Sequence, residues 1–187
     1  MPASPRLPWR LVALSTTLAL IAAVGTYVVL DDDETELATP SIELTPEGDL
    51  PSGDDVTFTT FEGVEVALSS LRGGPLLVNF FASTCTPCIT EMPAFEEVFR
   101  DVGTQVSFLG LAVEDQPEEA QALVRQTGVT YPTAQDPDRR VITALGGSVL
   151  PTTVLLDADG TIVASRYGEL DADELRGLLA DELDIET

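Results

Sequence analysis

Histidine and lysine are both missing from this sequence, and cysteine occurs only twice. Without histidine there is no Ser-His-Asp or Cys-His nucleophile system, and the commonest metal ligand is gone. Two cysteines with no histidine make a poor zinc or copper site, so no metal and no cofactor is expected. A chain held together by disulfides carries more cysteines at wider spacings, which argues against a structural disulfide framework. Positive charge is scarce as well: 9 bases, all arginine, stand against 32 acids, a formal charge of −23. Arg6 and Arg10 lie at the N-terminus, so the chain beyond residue 30 carries 7 arginines against all 32 acids, a formal −25. Such a surface repels phosphate backbones and disfavours nucleic acid as a partner. It suits a basic partner or a salty medium, and as a general habit of the source proteome it would speak to solubility rather than fold.

What is present begins with an uncharged run. The 187 residues, 44% of them apolar, are enough for one domain with a real core plus an anchor or tail. Leu11 to Leu30 holds 20 residues without a charge, the length of a helix that crosses a hydrocarbon core. Arg6 and Arg10 precede it, and Asp31, Asp32, Asp33 and Glu34 follow. Positive charge stays on the cytoplasmic side, so residues 1–10 are expected inside and the remainder outside. The competing reading is a cleaved signal peptide. The apolar run is long for one, and no small-x-small site precedes the acids, which favours an uncleaved anchor. Either reading exports the domain to a compartment where disulfide exchange is possible. Residues 31–54, rich in acids, Pro, Gly and Ser, read as an extended, self-repelling linker.

Residues 55–187 carry the globular pattern. Val56–Phe61 and Val64–Leu68 are β-prone runs around Glu62-Gly63, a hairpin signal. Leu76–Phe81 and Val106–Val113 are nearly continuous apolar runs, as strands buried on both faces are. Cys88 to Val102 has helical spacing, with Ile89, Met92, Phe95, Val98, Phe99 and Val102 on one side. Pro117–Gln126 reads as a helix stopped by Gly128, and Val141–Leu145 as a short helix before Gly146-Gly147. Asp136-Pro137-Asp138 reads as the start of a turn. Thr152–Leu156 and Ile162–Arg166 form a hairpin around Asp157–Gly160, and a helix from Asp171 to Leu183 closes the chain. Buried strands alternating with helices call for an α/β fold: a central mixed sheet with helices on both faces and an N-terminal β-hairpin extension.

The chemistry lies in Cys85-Thr86-Pro87-Cys88, where the strand ending at Phe81 turns into a helix. Free N–H groups and a partial positive charge at a helix N-terminus stabilise a thiolate, lowering the pKa of Cys85. Cys88 lies on the same helical face one turn deeper, placed to attack a mixed disulfide at Cys85. Pro87 sits in the first turn, where no N–H is missed. A lone CxxC is also compatible with half a zinc site, an inert pair or a stable bridge. The strand-turn-helix context, and the lack of a second pair or a histidine, favour redox chemistry.

The runs LLVNFFASTCTPCITEMPAFEE and VLPTTVLLDADGTIV resemble the thioredoxin fold, and with the anchor they are most similar to its membrane-anchored ResA/TlpA/CcmG branch. The resemblance spans about residues 55–183. It implies that Cys85 is the exposed nucleophile and Cys88 the resolving thiol. It implies that Pro151, after Leu150, is a cis-proline facing the cysteines and binding an extended substrate chain, with Leu150, Thr84 and Pro87 beside it. From sequence alone Leu150-Pro151 is an X-Pro before a strand, and cis is a minority there.

Glu91 matches a branch-typical acid. A partly buried carboxylate near Cys88 would resist thiolate formation and could shuttle protons, whereas an ordinary glutamate early in a helix is favoured by the dipole alone. Asn79 stands where classical thioredoxins carry a buried aspartate, so Glu91 is the candidate to replace that acid. Pro93 is expected to kink the helix. One position departs from the family: Thr84 stands where a tryptophan usually precedes the first cysteine, which reduces the aromatic surface beside the thiol. The resemblance implies a protein-disulfide reductase outside the membrane, with apocytochrome c among its substrates and a membrane electron donor; the alternative is a general disulfide reductase or oxidase there, since the Thr-Pro dipeptide does not set the direction of exchange. A thiol peroxidase fits poorly, because the Pro and Thr that surround a peroxidatic cysteine are absent. A thiol-based copper-binding protein on the same scaffold lacks its histidine.

Overall fold

The computed structural model describes residues 56–185, within the unit Thr45–Thr187. The expected N-terminal segment 1–10, anchor 11–30 and linker 31–54 lie outside the described residues, and no described helix is long and apolar enough to cross a membrane. Strands β1 (Thr57–Thr59) and β2 (Glu65–Ala67) form the expected antiparallel hairpin. A single 3-10 turn (Leu68–Leu71) leads on to β3 (Leu76–Phe81). Helix α1 (Thr86–Val102), β4 (Ser107–Val113), α2 (Pro117–Thr127), β5 (Thr133–Asp136) and α3 (Arg140–Ala144) follow. The chain ends on β6 (Thr152–Leu156), β7 (Ile162–Tyr167) and α4 (Ala172–Leu183).

All seven strands join one mixed sheet in the order β2-β1-β5-β4-β3-β6-β7. The β5-β4-β3 pairs are parallel and the outer pairs antiparallel. Strand β5 corrects the sequence reading, which had only a turn beginning at Asp136. Its residues Thr-Ala-Gln-Asp lack an apolar run, so local propensity is silent. The strand forms because β4 offers a free parallel edge and β1 closes the other side, through Gly110↔Thr133 and Thr59↔Gln135. Buried Asp136 accepts from the backbone N–H groups of Val141 and Ile142 at 3.1 and 2.9 Å, so the strand's last residue also starts α3. Burial holds its carboxyl above the usual range despite those bonds.

The core lies in two layers. Leu77, Phe81 and Leu155 pack with Cys88, Met92, Phe95 and Val98 of α1, Leu123 of α2, and Leu175 and Leu179 of α4. Val78, Phe80, Leu111 and Val154 pack on the other face with Val141, Ile142 and Leu145. Helices therefore cover both faces, because β3, β4 and β6 are buried on both sides. Helix α1 runs unbroken through Pro93, whose side chain lies on the exposed face. Helix α4 starts with a capping box between Asp171 and Glu174.

Candidate active site

Cys85 is the N-cap of α1, and its Sγ accepts from the Cys88 N–H at 3.3 Å. The turn before it is closed by Cys85 N–H donating to the Ala82 carbonyl at 3.0 Å. The two cysteines are joined as a disulfide with Cα atoms 5.3 Å apart. Cys85 is half-buried while Cys88 is 0% exposed, so an incoming thiol reaches Cys85 and not Cys88. Pro87 is in the first turn and half-buried; Thr84 is exposed. The geometry separates an accessible sulfur at a helix N-terminus from a protected one behind it, as sequential thiol-disulfide exchange requires.

Pro151 is buried, and the Leu150-Pro151 bond is cis. The β3–β6 register pairs Phe80 with Thr152, so Pro151 stands at the same end of the sheet as the turn leading to Cys85. Half-buried Leu150 packs against both core layers. The loop ahead of it is fastened at several points. Arg139 donates to the Ser148 carbonyl at 2.9 Å while pairing with Glu114 at 3.1 Å. Tyr167 Oη donates to the Gly146 carbonyl at 3.2 Å, and Thr152 Oγ1 to that of Val149 at 2.7 Å. Gly168 N–H donates to the Pro151 carbonyl at 2.9 Å.

Glu91, one turn beyond Cys88 on α1, is 1% exposed. Its Oε1 accepts from Asn79 Nδ2 at 2.7 Å and its Oε2 from the Leu170 N–H at 3.3 Å. Burial outweighs these bonds and, helped by nearby Glu169, pushes its pKa from 4.5 up to about 8. The acid can therefore take up or release a proton near neutral pH.

Sequence reasoning missed Ser83 and Asp115. Asp115, just past β4, accepts from Ser83 N–H at 2.5 Å and Ser83 Oγ at 2.7 Å, tying the turn before Cys85 to the neighbouring strand. The 32 residues between them leave no local signal. Among the described residues no group of three or more His, Cys, Asp or Glu could hold a metal.

Residues 49–165 match the AhpC/TSA family. Thiol-disulfide oxidoreductase ResA of Bacillus thuringiensis is 31% identical over 124 residues, 65% of this chain and 70% of that protein. ResA of Geobacillus thermodenitrificans is 28% identical over 177 residues, 94% and 95% of the two chains. Two solved structures superpose with a TM-score of 0.61 at 25% identity. One is a secreted Mycobacterium tuberculosis disulfide oxidoreductase homologous to E. coli DsbE, covering 68% of this chain and 96% of that one. The other is a DsbF homologue from Corynebacterium diphtheriae, covering 70% and 95%. With an accessible sulfur backed by a buried one at a strand-to-helix turn, the chain belongs to the thioredoxin-like AhpC/TSA family and is a ResA-like thiol-disulfide oxidoreductase whose redox pair is Cys85 and Cys88.

Proposed function

We propose that the protein is a membrane-anchored reductase of protein disulfides outside the cytoplasm, working in cytochrome c maturation. In this reading, residues 1–10 stay inside, 11–30 span the membrane, and a membrane donor supplies electrons. The uncharged run between Arg6, Arg10 and the acids from Asp31 supports the orientation.

The observation that carries the direction of exchange is the burial of Glu91 one turn from Cys88. A dithiol becomes oxidising when its reduced, thiolate form is stabilised. A buried carboxyl beside Cys88 withholds that stabilisation and favours the disulfide, so the pair donates electrons readily. Cys85 attacks the substrate disulfide, one substrate sulfur leaves as a thiol, and Cys88 then displaces the second from the mixed disulfide. Glu91 exchanges the proton that Cys88 gives up. Pro151, Leu150, Thr84 and Pro87 border the substrate chain.

A Cys88→Ser trap tests this reading. Mixed disulfides on Cys85 with apocytochromes or their assembly factors support it, whereas a broad set of exported proteins points to general disulfide handling. An absence of any trapped partner overturns it. A membrane-impermeant thiol reagent applied to intact cells should label reduced Cys85; protection until lysis would overturn the export.

A further inference from the structure

Three residues other than glycine take a left-handed backbone among the described residues: Glu114 at φ 48°, Arg139 at φ 61° and Asp184 at φ 55°. Asp184 closes helix α4, where that conformation is ordinary. The other two have no such reason. Glu114 directly follows β4, and Arg139 is the N-cap of α3, a position that is normally extended. Long side chains rarely adopt this backbone. Where they do, the surroundings hold them there, and such positions cluster at active sites.

Here the two residues hold each other. Both backbone N–H groups donate to one carbonyl, that of Asp136, at 3.2 Å from Glu114 and 3.3 Å from Arg139. Their side chains also meet, with Arg139 Nη1 lying 3.1 Å from Glu114 Oε2. The other terminal nitrogen, Arg139 Nη2, donates to the Ser148 carbonyl at 2.9 Å. Arg139 therefore bridges two loops. On one side, Glu114 is followed by Asp115, which holds Ser83 in the turn before Cys85. On the other, Ser148 leads through Val149 and Leu150 to Pro151, with the Val149 carbonyl tied to Thr152 Oγ1 at 2.7 Å.

Stability is a weak reason for this bridge. The Arg139 side chain is 33% exposed and that of Glu114 57%, so solvent screens the pair. Its geometric effect is larger. A planar guanidinium presents its donors in a rigid fork, so two bonds from one group fix the spacing of the groups that receive them.

We propose that Arg139 is a positioning residue for the substrate: by gripping Glu114 and the Ser148 carbonyl together, it sets how Leu150-Pro151 stands relative to the Cys85 turn, and hence whether a chain lying along Pro151 presents its disulfide in line with Cys85 Sγ. Arg139 acts through the two loops and takes no part in the exchange of sulfur bonds. Glu114 is the fixed end of the link. The inference rests on the proposed function, in which Pro151 and Leu150 border the substrate chain. It separates substrates by size. A peptide disulfide that lies across both loops depends on their spacing; a small disulfide that reaches Cys85 alone does not.

The test uses the reduced full-length chain in detergent micelles and two uncharged probes, hydroxyethyl disulfide and a synthetic peptide closed by one disulfide. Arg139→Gln should slow the peptide reaction about ten- to a hundredfold, as a small misplacement of reacting groups does, and leave the small disulfide within about twofold. Arg139→Gly should behave alike. Glycine takes the observed φ of 61° freely, so this variant keeps the turn and removes only the side chain, guarding against a folding defect. Glu114→Gln should lose less, because the Ser148 contact remains. Adding it to Arg139→Gly should cost nothing further, because both belong to one link. Equal slowing of the two probes, or a normal peptide rate in Arg139→Gly, overturns the positioning role and leaves the proposed function standing. A wild-type protein that reduces the peptide no faster than the small disulfide overturns both, since no chain is then held along Pro151.

Discussion

Helix α1 carries two buried glutamates five positions apart, and they behave in opposite ways. Glu91, near the disulfide, is 1% exposed, and Glu96, two turns from the helix end, is 4% exposed. Desolvation pushes both carboxyls upward. Glu96 nonetheless sits below the usual range. Thr130 donates to it from N–H at 2.7 Å and from Oγ1 at 2.8 Å, and Arg100 pairs with it at 2.8 Å. Glu91 receives one short amide bond, one long backbone bond and the repulsion of Glu169, and it titrates near 8. Two carboxyls that are both shielded from solvent thus give a structural ion at one place and an acid of near-neutral pKa at the other, Glu91 being the more heavily desolvated of the two. The depth of burial and the number and charge of the donors together decide which.

The comparison can be broken most forcefully at Glu91. Between pH 4.5 and about 8 the folded protein holds a proton that the unfolded chain releases. Stability should therefore fall as pH rises through that window, by up to about 1.4 kcal/mol per pH unit. Glu91→Gln should remove that slope, making the variant relatively more stable at pH 9 than at pH 5. Denaturant titrations across pH check this, and parallel slopes for the two proteins would refute it. The same variant should lose the inflection near pH 8 in the rate at which Cys88 resolves a mixed disulfide, measured by stopped flow.

At Glu96 the expectation reverses in sign and kind. Its contribution is present above the ordinary carboxylate range and disappears as pH falls. Glu96→Ala should cost about 1–3 kcal/mol at neutral pH, by stranding the Thr130 donors. The pH profile of thiol exchange should not move; a moved profile would mean that Glu96 belongs to the redox site. Smallest of all is Arg100→Ala, because the arginine side chain is 68% exposed. The loss should stay below about 1 kcal/mol in a melting experiment, as for other solvent-screened pairs. A larger loss would show that the arginine, rather than Thr130, holds Glu96 ionised.

Much of this molecule was readable along the chain. Leu76–Phe81 and Ser107–Val113 announced themselves because strands buried on both faces must be apolar throughout. Pro117 and Gly128 bracketed α2 because one fits only the first turn and the other adopts φ 75° at its end. The cysteines were legible for the same local reason. Strand β5 was not, since Thr133–Asp136 is a strand by virtue of its neighbours and not of its side chains. Nor was the Ser83–Asp115 bond that braces the turn before Cys85.

By itself, the sequence determined that one cysteine would cap a helix with the other a turn behind it. That arrangement depends only on neighbours within a few residues. The fate of the two glutamates depended on partners 12, 79 and 34 residues away: Asn79, Leu170 and Thr130. Only the packed sheet and helices decided which buried carboxyl meets enough donors to stay charged and which must bind a proton. Solvation and hydrogen bonding are set by what lies across space, not by what comes next in the chain.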